Sequence, residues 1–220
     1  MKRVNVALIG LALLIFISVG ATFAQEGLVV SGENARQKLI DGNKRYVDVK
    51  LTHPNQTAQH RTEVAKGQRP FAVILSCSDS RVPPEIIFDQ GLGDLFVIRL
   101  AGNVMDDTAL GSIEYAVDYL GVRCVIVLGH ERCGAVDATV KGGEIHGHIS
   151  GIVKAIQPVM GKIKNLPGDV LDNAVRANVA MVVQQLKSSG PILKELVNKG
   201  VVGIDGAYYD LDDGKITLLP

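Results

Sequence analysis

Residues 71–81 read Phe71-Ala72-Val73-Ile74-Leu75-Ser76-Cys77-Ser78-Asp79-Ser80-Arg81, a short apolar run that ends in a polar turn. Residues 124–134 have the same form and read Cys124-Val125-Ile126-Val127-Leu128-Gly129-His130-Glu131-Arg132-Cys133-Gly134. Short runs that are rich in Val and Ile and stop at turn residues are typical of buried strands in a parallel sheet. Both polar stretches then follow the carboxyl ends of strands, which is the edge where open α/β sheets build their sites.

The rest of the chain alternates between strand-like and helix-like segments. The predicted strands are Phe71–Ser76, Asp94–Leu100, Arg123–Leu128 and Val201–Ile204, and a hairpin of Tyr208–Leu211 with Lys215–Leu219 follows. Helical periodicity is clearest over Glu33–Val49, Ile149–Ile163 and Val170–Leu186. The predicted fold is therefore α/β, a doubly wound sheet of four parallel strands with a C-terminal antiparallel addition, preceded by an N-terminal helix.

Length and charge limit the classes of protein to consider. The 220 residues suit one domain of ordinary size with a core that needs no disulfide bonds. Lys plus Arg number 23 and Asp plus Glu also number 23, so the formal net charge is zero. This balance argues against a nucleic-acid-binding protein and against binding to membranes through a polybasic patch, because each needs an excess of basic residues.

The amino terminus has the anatomy of a secretory signal peptide. Lys2 and Arg3 precede the almost wholly apolar run Val6–Val19, which is shorter than the about 20 residues of a membrane span. Thr22-Phe23-Ala24 offers a cleavage site, with Ala21 as a second choice and an uncleaved anchor as the alternative. The predicted organisation is a signal peptide over residues 1–24 and one mature domain over residues 25–220, periplasmic or secreted, with no stable membrane insertion after cleavage.

The two polar stretches offer a set of metal ligands. Cys77 and Asp79 lie two residues apart after one strand, and His130 and Cys133 lie three residues apart after another. If the two strands are neighbours, two thiolates and one imidazole come together at one point. This ligand set suits zinc, and Asp79 or water would be the fourth ligand. A disulfide between Cys77 and Cys133 and a closed structural zinc site are the competing interpretations.

A catalytic zinc ion would turn bound water into hydroxide near neutral pH. Asp79 can accept a hydrogen bond from that hydroxide and orient it, and Arg81 can hold Asp79 bidentately and keep it ionised. Gly134 opens a predicted helix, where backbone N–H groups attract an anion. Asp79 and Arg81 are therefore the candidate catalytic residues, and Gly134 is a candidate substrate-binding residue.

The two stretches resemble the motifs of the β-class carbonic anhydrases. Cys77-Ser-Asp-Ser-Arg-Val-Pro-Pro is similar to the first family motif, and Glu114 through Gly134 is similar to the second. The resemblance implies Zn²⁺ on Cys77, His130 and Cys133, an Asp79–Arg81 dyad, and reversible hydration of carbon dioxide to bicarbonate. It also implies an aspartate-on-zinc resting state, here of Asp79, in one subset of the family.

The same resemblance implies a pocket at the interface of a dimer. Gln68 falls where some family members place a glutamine over the substrate, and Phe96 and Tyr115 match an aromatic wall of the pocket. Hydrolysis of a linear analogue such as carbonyl sulfide or carbon disulfide stays open on the same scaffold, as does a protein that uses zinc only for folding. His146 and His148 are interpreted as residues of a Gly-rich surface loop.

The Glu33–Val49 helix has an apolar stripe but precedes the first strand. It is therefore expected to lack a place on its own sheet and to cover a second subunit. A homodimer or homotetramer is the predicted assembly.

Overall fold

The computed structural model describes residues 30–220, and the predicted signal peptide over residues 1–24 lies outside them. One sheet of five strands forms the centre, in the order β2-β1-β3-β4-β5. The strands are β1 (Ala72–Ser76), β2 (Leu95–Arg99), β3 (Cys124–His130), β4 (Gly203–Tyr209) and β5 (Ile216–Leu219). The helices are α1 (Gly32–Val47), α2 (Ala58–Val64), α3 (Pro84–Ile87), α4 (Asp107–Asp118), α5 (Gly134–Lys141), α6 (Ile149–Ile156), α7 (Met160–Ile163), α8 (Val170–Ser188) and α9 (Ile192–Asn198).

The sheet confirms the predicted fold class. Strands β2, β1, β3 and β4 are parallel, and β5 pairs with β4 in the antiparallel direction. Helices α4, α8 and α9 cover one face, and α1 and α3 cover the other. Each face therefore buries its own apolar cluster, and the central strands are apolar on both sides.

The predicted boundaries of the fourth strand are wrong. Val201–Ile204 and the first half of the predicted hairpin are parts of one continuous strand, β4, which forms the hairpin with β5. Gly206 lies in the middle of this strand, where a Cβ atom would stand 2.8 Å from Cγ1 of Val179 on α8. The glycine allows close packing of helix on strand instead of ending the strand.

The predicted helix over residues 149–163 is interrupted. Gln157–Val159 form a 3-10 turn between α6 and α7. Pro158 lies in this turn and has no N–H to continue the α-helical ladder.

The expectation that the first helix lacks a place on its own sheet is also wrong. Ala35 and Leu39 of α1 are buried in the cluster that contains β1 and β3 of the same chain. Asn43 Nδ2 donates hydrogen bonds to the carbonyl oxygens of Ile87 and Gly214, at 3.0 and 2.9 Å. Helix α1 is thus fixed to its own domain by burial and by a buried amide.

Within residues 30–220, none of the helices combines the length and the apolar character that crossing a membrane requires.

Asp89 fixes the end of α1 and the loop that follows it. Its side chain is 1% exposed and accepts hydrogen bonds from Arg45 Nε at 2.6 Å, Thr52 Oγ1 at 2.8 Å and His53 N at 3.0 Å. Burial alone would raise the pKa of Asp89, but these hydrogen bonds outweigh it and lower the pKa to about 2. The ionised carboxylate therefore stabilises the folded state.

We expect Asp89→Asn to lower the free energy of unfolding at pH 7 by about 1–2 kcal/mol, since water screens part of the attraction of the one-third-exposed Arg45. A lowered folded-state pKa stabilises fully above the unfolded pKa and stops stabilising as the pH falls through the folded one. The difference between wild type and variant should therefore shrink between pH 4 and pH 2. Denaturant unfolding at several pH values measures it. Asp172→Asn, in the more exposed Asp172–Arg176 pair, is the control, and an equal loss there would contradict the assignment.

Candidate metal centre

Strands β1 and β3 deliver the predicted ligands to one edge of the sheet. They are neighbours, and Ser76 at the end of β1 lies opposite Leu128 in β3. Cys77 follows β1, His130 is the last residue of β3, and Cys133 is the N-cap of α5. Strand β3 runs two residues beyond its predicted end, so the sheet itself holds His130.

The ligand atoms of Cys77, His130 and Cys133 all lie within 4.8 Å of one another, and the three residues are buried. The two Sγ atoms are 4.0 Å apart and both cysteines are free thiols. A tetrahedral zinc ion with Zn–S bonds of about 2.3 Å separates two sulfur atoms by about 3.8 Å. The sulfur atoms are therefore spaced for a shared ion, whereas a disulfide needs about 2.05 Å.

His130 presents an unpaired nitrogen to this centre. Its Nδ1 lies 2.9 Å from the carbonyl oxygen of Glu131, and because a carbonyl only accepts, Nδ1 carries the proton. Nε2 is buried and has no hydrogen-bond partner among the described residues. A buried lone pair without a partner is costly, and a metal ion beside the two sulfur atoms would satisfy it.

The pKa values of the two thiols are shifted in opposite directions. Hydrogen bonds, first from the Cys133 thiol and then from the Gly102 N–H, outweigh burial and lower the pKa of Cys77. The hydrogen bond to Cys77 and burial raise the pKa of Cys133. One negative charge therefore forms readily at this pair of sulfur atoms, and a cation that replaces the remaining proton would stabilise a second.

Asp79 is paired with Arg81. Its Oδ1 accepts from the backbone N–H and Nε of Arg81 at 3.0 and 2.9 Å, and its Oδ2 accepts from Nη2 at 2.7 Å. These hydrogen bonds hold the pKa of Asp79 well below its usual range. Oδ2 also lies 3.8 Å from His130 Nε2, so the carboxylate borders the centre. Coordination of a metal by Asp79 stays a prediction.

Gln68 does not reach this centre within its own chain. It precedes β1 at the amino edge of the sheet, whereas Cys77 follows β1 at the carboxyl edge. Five strand residues at about 3.3 Å each separate the two edges by about 16 Å. Gln68 instead lines an open cavity of about 630 Å³ with His60, Lys66 and other residues of that edge.

The predicted aromatic wall forms a cluster beside the outer strand β2. The rings of Phe96 and Tyr115 have centroids 6.3 Å apart, and Tyr119 stacks on Tyr115 at 5.4 Å. Tyr115 is 46% exposed and Tyr119 is 77% exposed. Tyr119 was not identified from the sequence, although its spacing of four residues from Tyr115 on a helix signals contact.

Gly134 and the two loop histidines lie in open positions. Gly134 is the first residue of α5, and a Cβ atom there would meet nothing within 4 Å. His146 and His148 are exposed in the connection between α5 and α6, apart from the cysteines. The substrate-binding role of Gly134 stays a prediction.

Sequence reasoning missed a buried support of Cys77. The Gly102 N–H donates to Cys77 Sγ at 3.2 Å, and Asn178 Nδ2 on α8 donates to the Gly102 carbonyl at 2.8 Å. Gly102 has φ +71, and a Cβ atom there would lie 2.8 Å from Cδ1 of Ile156. The Ala101-Gly102-Asn103 turn was a visible signal, but Gly102 and Asn178 are 76 positions apart, and no local pattern indicates their contact.

Comparison with known proteins agrees with this geometry. The model of the carbonic anhydrase family matches residues 72–216. Carbonic anhydrase 2 of Mycobacterium tuberculosis is 42% identical over 190 residues, which cover 84% of this chain and 91% of that protein. The solved Coccomyxa β-carbonic anhydrase in complex with acetazolamide is 27% identical, with a TM-score of 0.68 and coverage of 82% of this chain and 84% of that chain.

The fold is shared more widely. Tetrameric β-carbonic anhydrases of the filamentous ascomycete Sordaria macrospora include a chain that is 24% identical, with a TM-score of 0.68 and coverage of 84% of this chain and 97% of that one. The family match, the 42% identical relative and the sheet that holds the two motifs point to one conclusion. The chain belongs to the β-class carbonic anhydrases, enzymes that hydrate carbon dioxide reversibly to bicarbonate.

Proposed function

We propose that this chain hydrates carbon dioxide with one zinc ion held by Cys77, His130 and Cys133, and with Asp79 and Arg81 orienting the nucleophile. The observation that carries the proposal is the buried, unpaired Nε2 of His130 beside two sulfur atoms 4.0 Å apart. Three protein ligands leave a fourth position, which is the arrangement of catalytic zinc. Zinc held by these residues would supply a Lewis acid that lowers the pKa of a water molecule toward neutrality.

Asp79 sets the direction of attack. Because Arg81 keeps its carboxylate ionised, Asp79 only accepts hydrogen bonds. A nucleophile O–H group beside Oδ2 would donate a hydrogen bond to Asp79, which leaves a lone pair on that oxygen free to face the carbon of carbon dioxide. Arg81 in turn fixes the carboxylate plane through two parallel N–H···O bonds. Gly134, at the start of α5, has no side chain to obstruct a small substrate or its anionic product.

Variants of the Asp79–Arg81 dyad should lose activity without losing zinc. We expect Asp79→Asn to keep one zinc per chain and to lose about a hundredfold in kcat, because an amide can also donate and no longer imposes one orientation. Arg81→Ala should act in the same direction, whereas Cys77→Ser should lose zinc and activity together. Metal analysis and stopped-flow hydration of carbon dioxide measure both quantities.

Asp213→Asn is the matched control for the dyad, because Asp213 pairs with Lys215 at the same two-residue spacing but in the C-terminal turn. It should leave zinc content and kcat unchanged. Wild-type rates in Asp79→Asn and Arg81→Ala would remove the dyad from the mechanism, and full zinc in Cys77→Ser would show that the metal site is misplaced.

The position of Gln68 supports a homodimer or homotetramer in which one subunit completes the pocket of another. About 16 Å of strand separates Gln68 from the metal ligands of its own chain, and a rigid sheet cannot close that distance. A side-chain amide of a second copy can donate a hydrogen bond to an oxygen of carbon dioxide or bicarbonate. The aromatic cluster, in which Tyr115 and Tyr119 are exposed and Phe96 is partly buried, is an apolar surface that the same copy can cover.

Mixed dimers test this arrangement. If Gln68 acts across the interface, co-refolded Gln68→Ala and Asp79→Asn chains form heterodimers in which one site has both residues intact. Random pairing then recovers about a quarter of wild-type activity, because half of the dimers are mixed and each has one complete site. If Gln68 acts in its own chain, every site lacks one residue and the mixture stays inactive. Gln59→Ala, on the exposed face of α2, is the control and should leave activity unchanged.

We also propose export with cleavage after Ala24, which the basic start, the apolar run and the small residues around Ala24 support. The mature chain recovered outside the cytoplasm should begin at Gln25, as measured by mass spectrometry. Cleavage after Ala21 would move the start to Thr22. An intact Met1 terminus in a membrane fraction would contradict cleavage and support the anchor.

A further inference from the structure

Arg99 contacts the turn that holds the first metal ligand and the dyad. It is the last residue of β2 and lies opposite Ser76 in β1. Its Nε donates to the carbonyl oxygen of Cys77 at 3.0 Å, and its Nη2 donates to the carbonyl oxygen of Asp79 at 2.6 Å. One half-buried guanidinium therefore bridges the backbone at two residues of the proposed site.

These two carbonyls determine where the functional side chains lie. The Asp79 carbonyl also accepts the Val82 N–H at 3.0 Å, and the Ser76 carbonyl accepts the Leu100 N–H at 3.0 Å. The backbone on both sides of Cys77 is thus fixed to β2 and to its own turn. Cys has a single side-chain torsion and Asp has two, so backbone position sets most of the separation between Sγ and the carboxylate.

We propose that Arg99 is a positioning residue of the active site, which holds the thiolate of Cys77 and the carboxylate of Asp79 at a fixed separation through their backbone carbonyls. This inference rests on the proposed zinc site. Arginine suits the role because its planar fork donates two bonds in fixed directions, whereas lysine offers a single mobile ammonium group. Arg99 touches neither the sulfur nor the carboxylate in these bonds, so it acts through the backbone of both residues.

Arg123 provides a matched control within the same sheet. It is also half-buried and also donates to two backbone carbonyls, those of Val117 at 2.9 Å and Val122 at 3.2 Å. It lies directly before β3, at the amino edge of the sheet and away from the metal centre. Substitution of Arg123 therefore measures the loss of stability that follows from removing a half-buried arginine away from the metal centre.

The experiment compares Arg99→Lys, Arg99→Met, Arg123→Lys and Arg123→Met with the wild type. Zinc affinity is measured by competition with a chelator, and the ligand geometry by the thiolate-to-metal and visible bands of the Co²⁺-substituted protein. We expect Arg99→Met to weaken zinc binding about tenfold, to shift the Co²⁺ bands and to lower kcat more than it changes KM. Arg99→Lys should fall between Arg99→Met and the wild type. The Arg123 variants should lower thermal stability without moving the Co²⁺ bands or zinc affinity.

Wild-type Co²⁺ spectra and zinc affinity in both Arg99 variants would overturn the inference, as would equal changes in the Arg123 variants. If Arg99→Met does not fold, the spectrum and zinc affinity of Arg99→Lys decide the question. Failure of the wild type to bind Zn²⁺ or Co²⁺ would overturn the proposed function itself, and this inference with it. A metal-binding wild type with unaffected Arg99 variants would overturn the positioning role alone.

Discussion

The parallel pairing of β1 with β3 is the constraint on which the rest of the structure depends. Neither strand carries the candidate metal centre alone, because one leads to Cys77 and the other supplies His130 and leads to Cys133. Both strands are buried along their whole length, so their register is fixed by apolar packing on two faces. A shift of one strand by a single residue would turn its side chains to the opposite face and separate the ligands.

This arrangement places polar atoms where they cost stability. Among the described residues, the buried side-chain atoms without a hydrogen-bond partner are Ser76 Oγ, Asn103 Nδ2, His130 Nε2 and Asn178 Oδ1. Each belongs to a residue of the carboxyl edge or to the support of Cys77, and an unpaired buried polar group costs about 1–3 kcal/mol. The apolar clusters on the two faces must offset this cost. A metal ion that binds His130 Nε2 would remove part of it, so metal binding and folding stability are coupled.

Local patterns predicted most of the fold, because the central strands are short apolar runs bounded by turns and the helices have one apolar face. The convergence of Cys77, His130 and Cys133 was also predictable, since two short motifs place all three within three residues of a strand end. Local patterns gave wrong predictions where contacts between distant residues determine the structure. Gly206 lies within β4 because a larger residue there would collide with α8. Helix α1 packs on its own sheet and is held there by the hydrogen bonds of Asn43. For the same reason, local patterns did not reveal the contacts of Asn178 and Arg99. Asn178 bonds to a residue 76 positions away, and Arg99 bonds to residues about 20 positions away.

The distribution of residues between the two edges of the sheet connects chemistry with assembly. The carboxyl edge holds the thiols, the imidazole and the dyad, while Gln68 lies at the amino edge and the aromatic cluster borders the outer strand. Gln68 precedes β1 and Cys77 follows it, so the length of this strand holds the two residues about 16 Å apart. An extended strand cannot shorten without losing its hydrogen bonds to the neighbouring strands. A single chain therefore holds all the proposed metal ligands and the dyad, but it cannot place this amide over its own centre. Any role of Gln68 in turnover consequently requires contact between two copies, and the geometry of that contact then becomes part of the active site.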